Sequence, residues 1–507
     1  MTTWYEKRED IAVLQIDHPP VNGLNAATRA AMADGLRKAS SDHKISAIII
    51  TGTGTVFSGG ADIREFGTQA ALAQPDLLAL LDRVESCNKP VIAVINGVCM
   101  GGGLELALAC HYRIATADAV MALPEVKIGL IPGAGGTQRL PRAVGAEKAL
   151  HMIVSGEPIK AEEALDDGLV ERIVINTNFS EAMDFAHEVA ERRSRPKLRF
   201  KEASLPPGVD SSQFFEQARA RVAAQASGLP APMACVEAIE AAVTLPFAQG
   251  MECEQRLFAE RVVSTESKAL RHMFFAQRAA ARLPDLSPEA LTARPLHGVA
   301  VLGFGTMGSD IAMALAASGF EVVIYDNNAA AVGRSMAACR AQWERDARQG
   351  KLTLPEVDAQ MALLKPTPRI EDLSQLDLVI EAVHEDLSLK QSVFAQLGRL
   401  MKPGAVLASN TAMLDIDHIA QASGRPADVV GLHFISPVRE KPLIEVVRGK
   451  KTAPDTLGTA MALAKRLKKV AVISGVCDGF IGNRMLEQYL HQAYLLVDEG
   501  ASPSQVD

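Results

Sequence analysis

The segment Val299 to Asp326, VAVLGFGTMGSDIAMALAASGFEVVIYD, leaves the chain few ways to fold. An apolar β-branched run meets three glycines in GxGxxG spacing, Gly303, Gly305 and Gly308, with Met307 inside the turn. An alanine-rich helical stretch follows, then a second apolar run that ends on Asp326. Strand, glycine turn, helix and strand in about 30 residues make a βαβ unit of a parallel sheet. The glycines let the backbone approach a pyrophosphate, and the free amides opening the helix stabilise its charge. A carboxylate about 20 residues on accepts from a ribose 2′-hydroxyl and repels a 2′-phosphate, so the motif predicts NAD rather than NADP. Buried-strand patterns at Leu378 to Ile380, Ala405 to Ala408 and Val429 to Phe434 continue the sheet. His433 lies at the end of the last run and Glu445 follows in PLIEVV. A histidine oriented by a carboxylate behind a dinucleotide motif suits a general base for alcohol oxidation.

A second constellation lies between Asn96 and Leu140. Gly101 to Gly103 run straight into a helical segment that carries Glu105. Glu125 stands in a Pro-Glu step ahead of another glycine-rich loop, Ile131 to Gly136, which contains Gly133. Each half alone reads as a turn with a surface glutamate. Together, two carboxylates beside amides at a helix N-terminus make a proton-transfer site. Around them, Ile11 to Asp17, Ala47 to Thr51 and Val91 to Ile95 have strand patterns, separated by helical stretches such as Ala26 to Ser40 and Leu77 to Cys87. That alternation predicts a layered α/β domain, with its topology left open.

At 507 residues the chain holds three or four domains' worth of core. From Arg195 to His297 the periodicity is helical throughout, and its apolar residues, Phe214, Phe215, Leu257, Phe258, Met273 and Phe274 among them, read as packing. No chemistry is expected from that stretch. A net charge of -8 offers no general attraction to nucleic acid or anionic membrane. Seven scattered cysteines lack CxxC or metal-ligand spacing and read as reduced, buried small hydrophobes. No apolar run reaches the roughly 18 residues of a membrane span, and the start has no signal core. The expectation is a soluble protein of a reducing compartment, with no metal site.

Three ordered blocks carry a resemblance. FSGGADIREF (Phe57 to Phe66), GGGLELAL (Gly101 to Leu108) and PEVKIGLIPGAGGTQRLPR (Pro124 to Arg142) resemble the crotonase superfamily. The resemblance is closer to the hydratase half of peroxisomal-type multifunctional enzymes of fatty-acid β-oxidation. It implies a crotonase-type spiral of ββα units, with Ala61 and Gly102 as oxyanion amides and Gly133 on the substrate side. Glu105 and Glu125 become acid and base for hydrating a trans-2-enoyl-CoA thioester, or for shifting a double bond between C2 and C4. From Val299 onward the chain resembles the L-3-hydroxyacyl-CoA dehydrogenases. This implies a Rossmann-type NAD-binding domain, His433 as base, Glu445 as its orienting partner and Asn483 as a substrate contact. Glu385 and Lys390 become cofactor contacts, and Ala412 stands where that family usually has serine.

The implied α/β architecture is a hydratase/isomerase domain over residues 1–195, a helical linker over 196–296 that packs back on it, and an NAD-binding domain over 297–474. Residues 475–507 would begin an all-α C-terminal domain, cut short by the chain end. The implied function is bifunctional: hydration to L-3-hydroxyacyl-CoA, then oxidation to 3-oxoacyl-CoA with NAD, with acyl-CoA substrates and a thiolase downstream. Two other readings stay open on the residues alone, an active hydratase half only or a non-catalytic acyl-CoA and NAD sensor. Lacking a signal peptide or a peroxisomal C-terminal tripeptide, the chain is expected to be cytoplasmic and of bacterial type.

Overall fold

The computed structural model describes residues 3–175, 179–192, 194–225, 228–280, 282–287 and 289–507. They form two compact units, Met1–Phe275 and Ala276–Asp507, each with its own apolar core.

In the first unit, short β-branched runs become strands because nearly every residue in them is buried on both faces. A six-stranded sheet takes the order Thr3–Arg8, Ile11–Ile16, Ala47–Gly52, Val91–Ile95, Tyr112–Thr116 and Arg172–Val174. Only its first pair is antiparallel. A smaller sheet of Val56–Ser58, Val98–Met100, Val120–Ala122 and Ile159–Lys160 lies beside it in the chain's path. Long strand, three-residue strand and helix recur: Ala47–Gly52, Val56–Ser58 and Leu77–Glu85, then Val91–Ile95, Val98–Met100 and Gly102–Ala109. This is the expected ββα spiral. Each turn delivers the chain to a glycine-rich corner just after its short strand.

The helices Ser211–Gln225, Ala231–Thr244 and Phe247–Val262 place Phe215, Cys235, Ile239 and Leu257 in one cluster with Leu104, Leu123 and Ile131. Residues beyond 275 go with the second unit, where Leu286, Leu291 and Leu296 pack on its core. Five of the seven cysteines are buried, and all are free.

The second unit is built on an eight-stranded sheet. Its order is Leu364–Thr367, Val322–Tyr325, Val299–Leu302, Leu378–Glu381, Val406–Ser409, Val429–Phe434, Leu443–Arg448 and Val470–Gly475. The first six strands are parallel, and the order reverses between Val299–Leu302 and Leu378–Glu381, which is the switch point of a doubly wound fold. The helix Gly482–Asp498 follows the last strand.

Candidate functional sites

Two glycines make room for the two glutamates of the first unit. A Cβ at Gly101 would stand 2.8 Å from Glu125 Oε1, and one at Gly136 would stand 2.8 Å from Glu105 Oε1. Glu105 sits in the first turn of Gly102–Ala109 and is buried. Its Oε1 accepts from the amides of Ala134 at 2.7 Å and Gly136 at 2.9 Å. Glu125 opens the short turn Glu125–Ile128, and its Oε2 is buried without a hydrogen-bond partner among the described residues. Burial raises the proton affinity of both carboxyls. For Glu105 the two amides and the Arg139 charge oppose that rise, whereas for Glu125 the Glu105 charge adds to it. The environments therefore separate the pair, with Glu105 the more readily ionised.

Ala61 and Gly102 meet beside them. A Cβ at Gly102 would lie 3.0 Å from the Ala61 nitrogen, and neither amide donates to a protein acceptor among the described residues. Asp62, next to Ala61, caps the turn Ile63–Glu65 and pairs with Arg64. Gly133 precedes Ala134, the first of the amides that bind Glu105. It is pressed against the Phe258 ring, where a Cβ would intrude to 2.5 Å, and its carbonyl accepts from Gln255 Nε2 at 2.6 Å.

Those two contacts come from the stretch from which no chemistry was expected, and a buried carboxylate of the same stretch makes further contacts with the loop. Glu254 of Phe247–Val262 is fully buried. It accepts from the Gly135 amide at 2.6 Å, the Thr137 amide at 2.9 Å and the Thr137 hydroxyl at 2.5 Å. Burial, then the Glu105 charge, push its carboxyl up to about 8 against those donors. The only signal in the sequence is a glutamate among apolar neighbours in an amphipathic helix.

In the second unit the dinucleotide motif falls at the switch point. Gly303 has φ +91° and lies so near the next loop that a Cβ would come within 2.8 Å of the Ala382 backbone. Gly305 caps the helix Thr306–Ala317 and has open space where a Cβ would stand. A Cβ at Gly308 would collide with the Gly303 carbonyl, and Met307 packs toward the core. Asp326 follows Val322–Tyr325 and accepts from the Phe304 amide at 2.8 Å and the Asn328 amide at 2.9 Å. A free helix N-terminus reached through close-packed glycines, with a carboxylate at the second strand's end, fits a dinucleotide. Glu385 accepts from Thr411 and from the Ala412 amide at 2.9 Å. Lys390, in the helix Leu387–Leu400, is wholly buried, with its ammonium 2.7 Å from Glu381 and 3.3 Å from Glu385. A charge so enclosed supports Glu385 from behind.

His433 and Glu445 face each other across the antiparallel pair Val429–Phe434 and Leu443–Arg448. His433 Nδ1 lies 2.6 Å from Glu445 Oε2, and Glu445 Oε1 accepts from the amides of Ile481 and Gly482, both at 2.9 Å. Burial would push the Glu445 carboxyl up, but His433 and those amides together hold it below its ordinary value. Asn483 follows at the start of its helix, where Nδ2 donates to the Ala412 carbonyl at 3.2 Å. On the surface of the first unit, Glu9, Asp10 and His187 come together with no ion, and His187 bonds Asp10 at 2.9 Å. Among the described residues no helix is long and apolar enough to cross a membrane.

The family model for enoyl-CoA hydratase/isomerase matches residues 6–205, and that for the 3-hydroxyacyl-CoA dehydrogenase NAD-binding domain matches residues 298–477. The chain is 42% identical over 504 residues to the peroxisomal bifunctional enzyme of Danio rerio, covering 99% of this chain and 69% of that one. Its identity to the Homo sapiens enzyme of the same name is 40%, covering 98% and 69%. With the glyoxysomal fatty acid beta-oxidation multifunctional protein MFP-a of Brassica napus it is 35%, covering 100% and 71%. These names overturn the expected cytoplasmic, bacterial-type location, since the relatives are peroxisomal and glyoxysomal. The chain belongs to the multifunctional enzymes of fatty-acid β-oxidation, which join an enoyl-CoA hydratase/isomerase to an NAD-dependent 3-hydroxyacyl-CoA dehydrogenase in one polypeptide.

Proposed function

We propose that Glu105 is the general base and Glu125 the general acid of hydration, with the Ala61 and Gly102 amides as the oxyanion donors. The observation that carries this reading is unequal hydrogen bonding: Glu105 Oε1 receives two amides, while Glu125 Oε2 has no hydrogen-bond partner among the described residues. Glu105 takes a proton from water as its oxygen bonds to C3 of the enoyl thioester. The two amides hold the negative charge that develops on the thioester oxygen, each worth about 3 kcal/mol in such sites. Glu125 gives its proton to C2. Run without water, the same two carboxyls relay a proton between C2 and C4, which is the isomerase reaction.

For the second reaction, Nδ1–H of His433 donates to Glu445, which leaves Nε2 to accept the proton of the C3 hydroxyl. NAD, when bound at the glycine turn and Asp326, would supply the hydride acceptor for C3. Asn483, tied to the Ala412 carbonyl, would position the thioester, and Glu385, held by Thr411, would help to hold the cofactor. We assign hydration to a domain spanning residues 1–195 with its helical support, and cofactor binding to residues 297–474. The 3-oxoacyl thioester formed is what a thiolase cleaves, so such an enzyme is the downstream partner.

The test follows crotonyl-CoA hydration by loss of enoyl absorbance, and NADH formation from L-3-hydroxybutyryl-CoA separately. Glu105→Gln and Glu125→Gln should each slow hydration by about 10²–10⁴-fold and leave NADH formation unchanged. Hydration near the parent rate in either variant overturns the assignment.

A further inference from the structure

Four consecutive amides of one loop are divided between two carboxylates. Ala134 and Gly136 donate to Glu105, and Gly135 and Thr137 donate to Glu254. The alternation follows from the backbone, whose successive N–H groups point to opposite sides as the loop enters the helix Gly136–Val144. Glu105 reaches one side from Gly102–Ala109, and Glu254 reaches the other from Phe247–Val262. The latter helix grips the loop again through Gln255 to the Gly133 carbonyl and through the Phe258 ring against Gly133.

We propose that Glu254 is a positioning residue for hydration: it fixes the loop that orients Glu105, and its charge makes Glu105 a stronger base. The proposal rests on the assignment of Glu105 as that base. Among the described residues the Glu254 carboxylate hydrogen-bonds only to Gly135 and Thr137, so it acts through the loop and Glu105. The charged groups facing this cluster are Glu105, Glu125 and Arg139, the last paired with Glu85 at 3.2 Å and bonded to the Ala134 carbonyl. Arg139 is bound to Glu85, so it does not neutralise Glu254 directly. Ionisation of Glu254 therefore adds negative charge beside Glu105, with three donors of the loop favouring that ionised form.

The full chain should show kcat for crotonyl-CoA hydration rising through a pH of about 8 as Glu254 ionises. Glu254→Gln should lose that rise and fall roughly tenfold below the parent at alkaline pH, with KM nearly unchanged. Gln255→Ala cuts the same helix–loop grip without touching a charge, so it should lower the melting temperature and leave the shape of the profile intact. Thr137→Val removes one donor to Glu254 and should move the rise to higher pH, which tests the idea even if Glu254→Gln does not fold. A kcat profile unchanged in folded Glu254→Gln, or in Thr137→Val, overturns the proposal. Glu105→Gln separates the two failures. If that variant is inactive while the Glu254→Gln profile is unchanged, only the positioning role fails. If Glu105→Gln still hydrates, the base assignment itself fails.

Discussion

Asp326 already carries two backbone amides, from Phe304 and Asn328, before any ligand arrives. Its removal therefore loosens the glycine turn as well as the ribose contact. Asp326→Ala should weaken NAD binding by about 10–100-fold, and calorimetry should show a narrower preference against NADP. Equal affinity of the parent chain for NAD and NADP would refute the role. At this scale the sequence is legible where chemistry forces a local spacing. Gly303, Gly305, Gly308 and Asp326 could be read because strand, turn and helix hold them within one supersecondary unit. Glu105 and Glu125 were found through the glycines that make space for them. Glu254 was invisible because its partners lie 117 and 119 residues away in the chain.

The helix Gly482–Asp498 shows how an element and a residue stabilise each other. Its first turn gives two amides to Glu445, a carboxylate at the positive end of a helix dipole. The folded carboxyl holds its proton less tightly than the ordinary value of 4.5. Such a group contributes stability that is fully present above the ordinary value and is lost as pH falls through the folded one. Glu445→Gln should thus destabilise the second unit by about 2 kcal/mol at neutral pH. Denaturant melts should show the difference from the parent shrinking as pH drops below the carboxylate range. A difference that stays constant down to strongly acid pH would mean that Glu445 acts by packing alone. The long strands and helices were readable from periodicity, within a few residues at their ends. Val56–Ser58, Val98–Met100 and Val120–Ala122 were not, since three residues carry no measurable period, and without them the spiral could not be traced from pattern alone.

Two units with separate cores should answer separately to a ligand that binds one of them. NAD at about 100 times its Kd adds about 2.7 kcal/mol to the unit that binds it. Calorimetry should show the transition of residues 276–507 moving up by about 5–10 °C while that of the first unit stays in place. A single transition that shifts as a whole would show that the units melt together. The division of the helical stretch between these units was not legible, because amphipathic periodicity gives a buried face but not what buries it. The loop shared by Glu105 and Glu254 also has a consequence in time. On the ribosome, Thr137 emerges well before Glu254, and at about 5–20 residues per second their separation is on the order of ten seconds of synthesis. Throughout that interval two of the loop's four amides, those of Gly135 and Thr137, lack the carboxylate that accepts from them. Full hydration activity should then await the helix Phe247–Val262, which is made only after the family-matched segment 6–205.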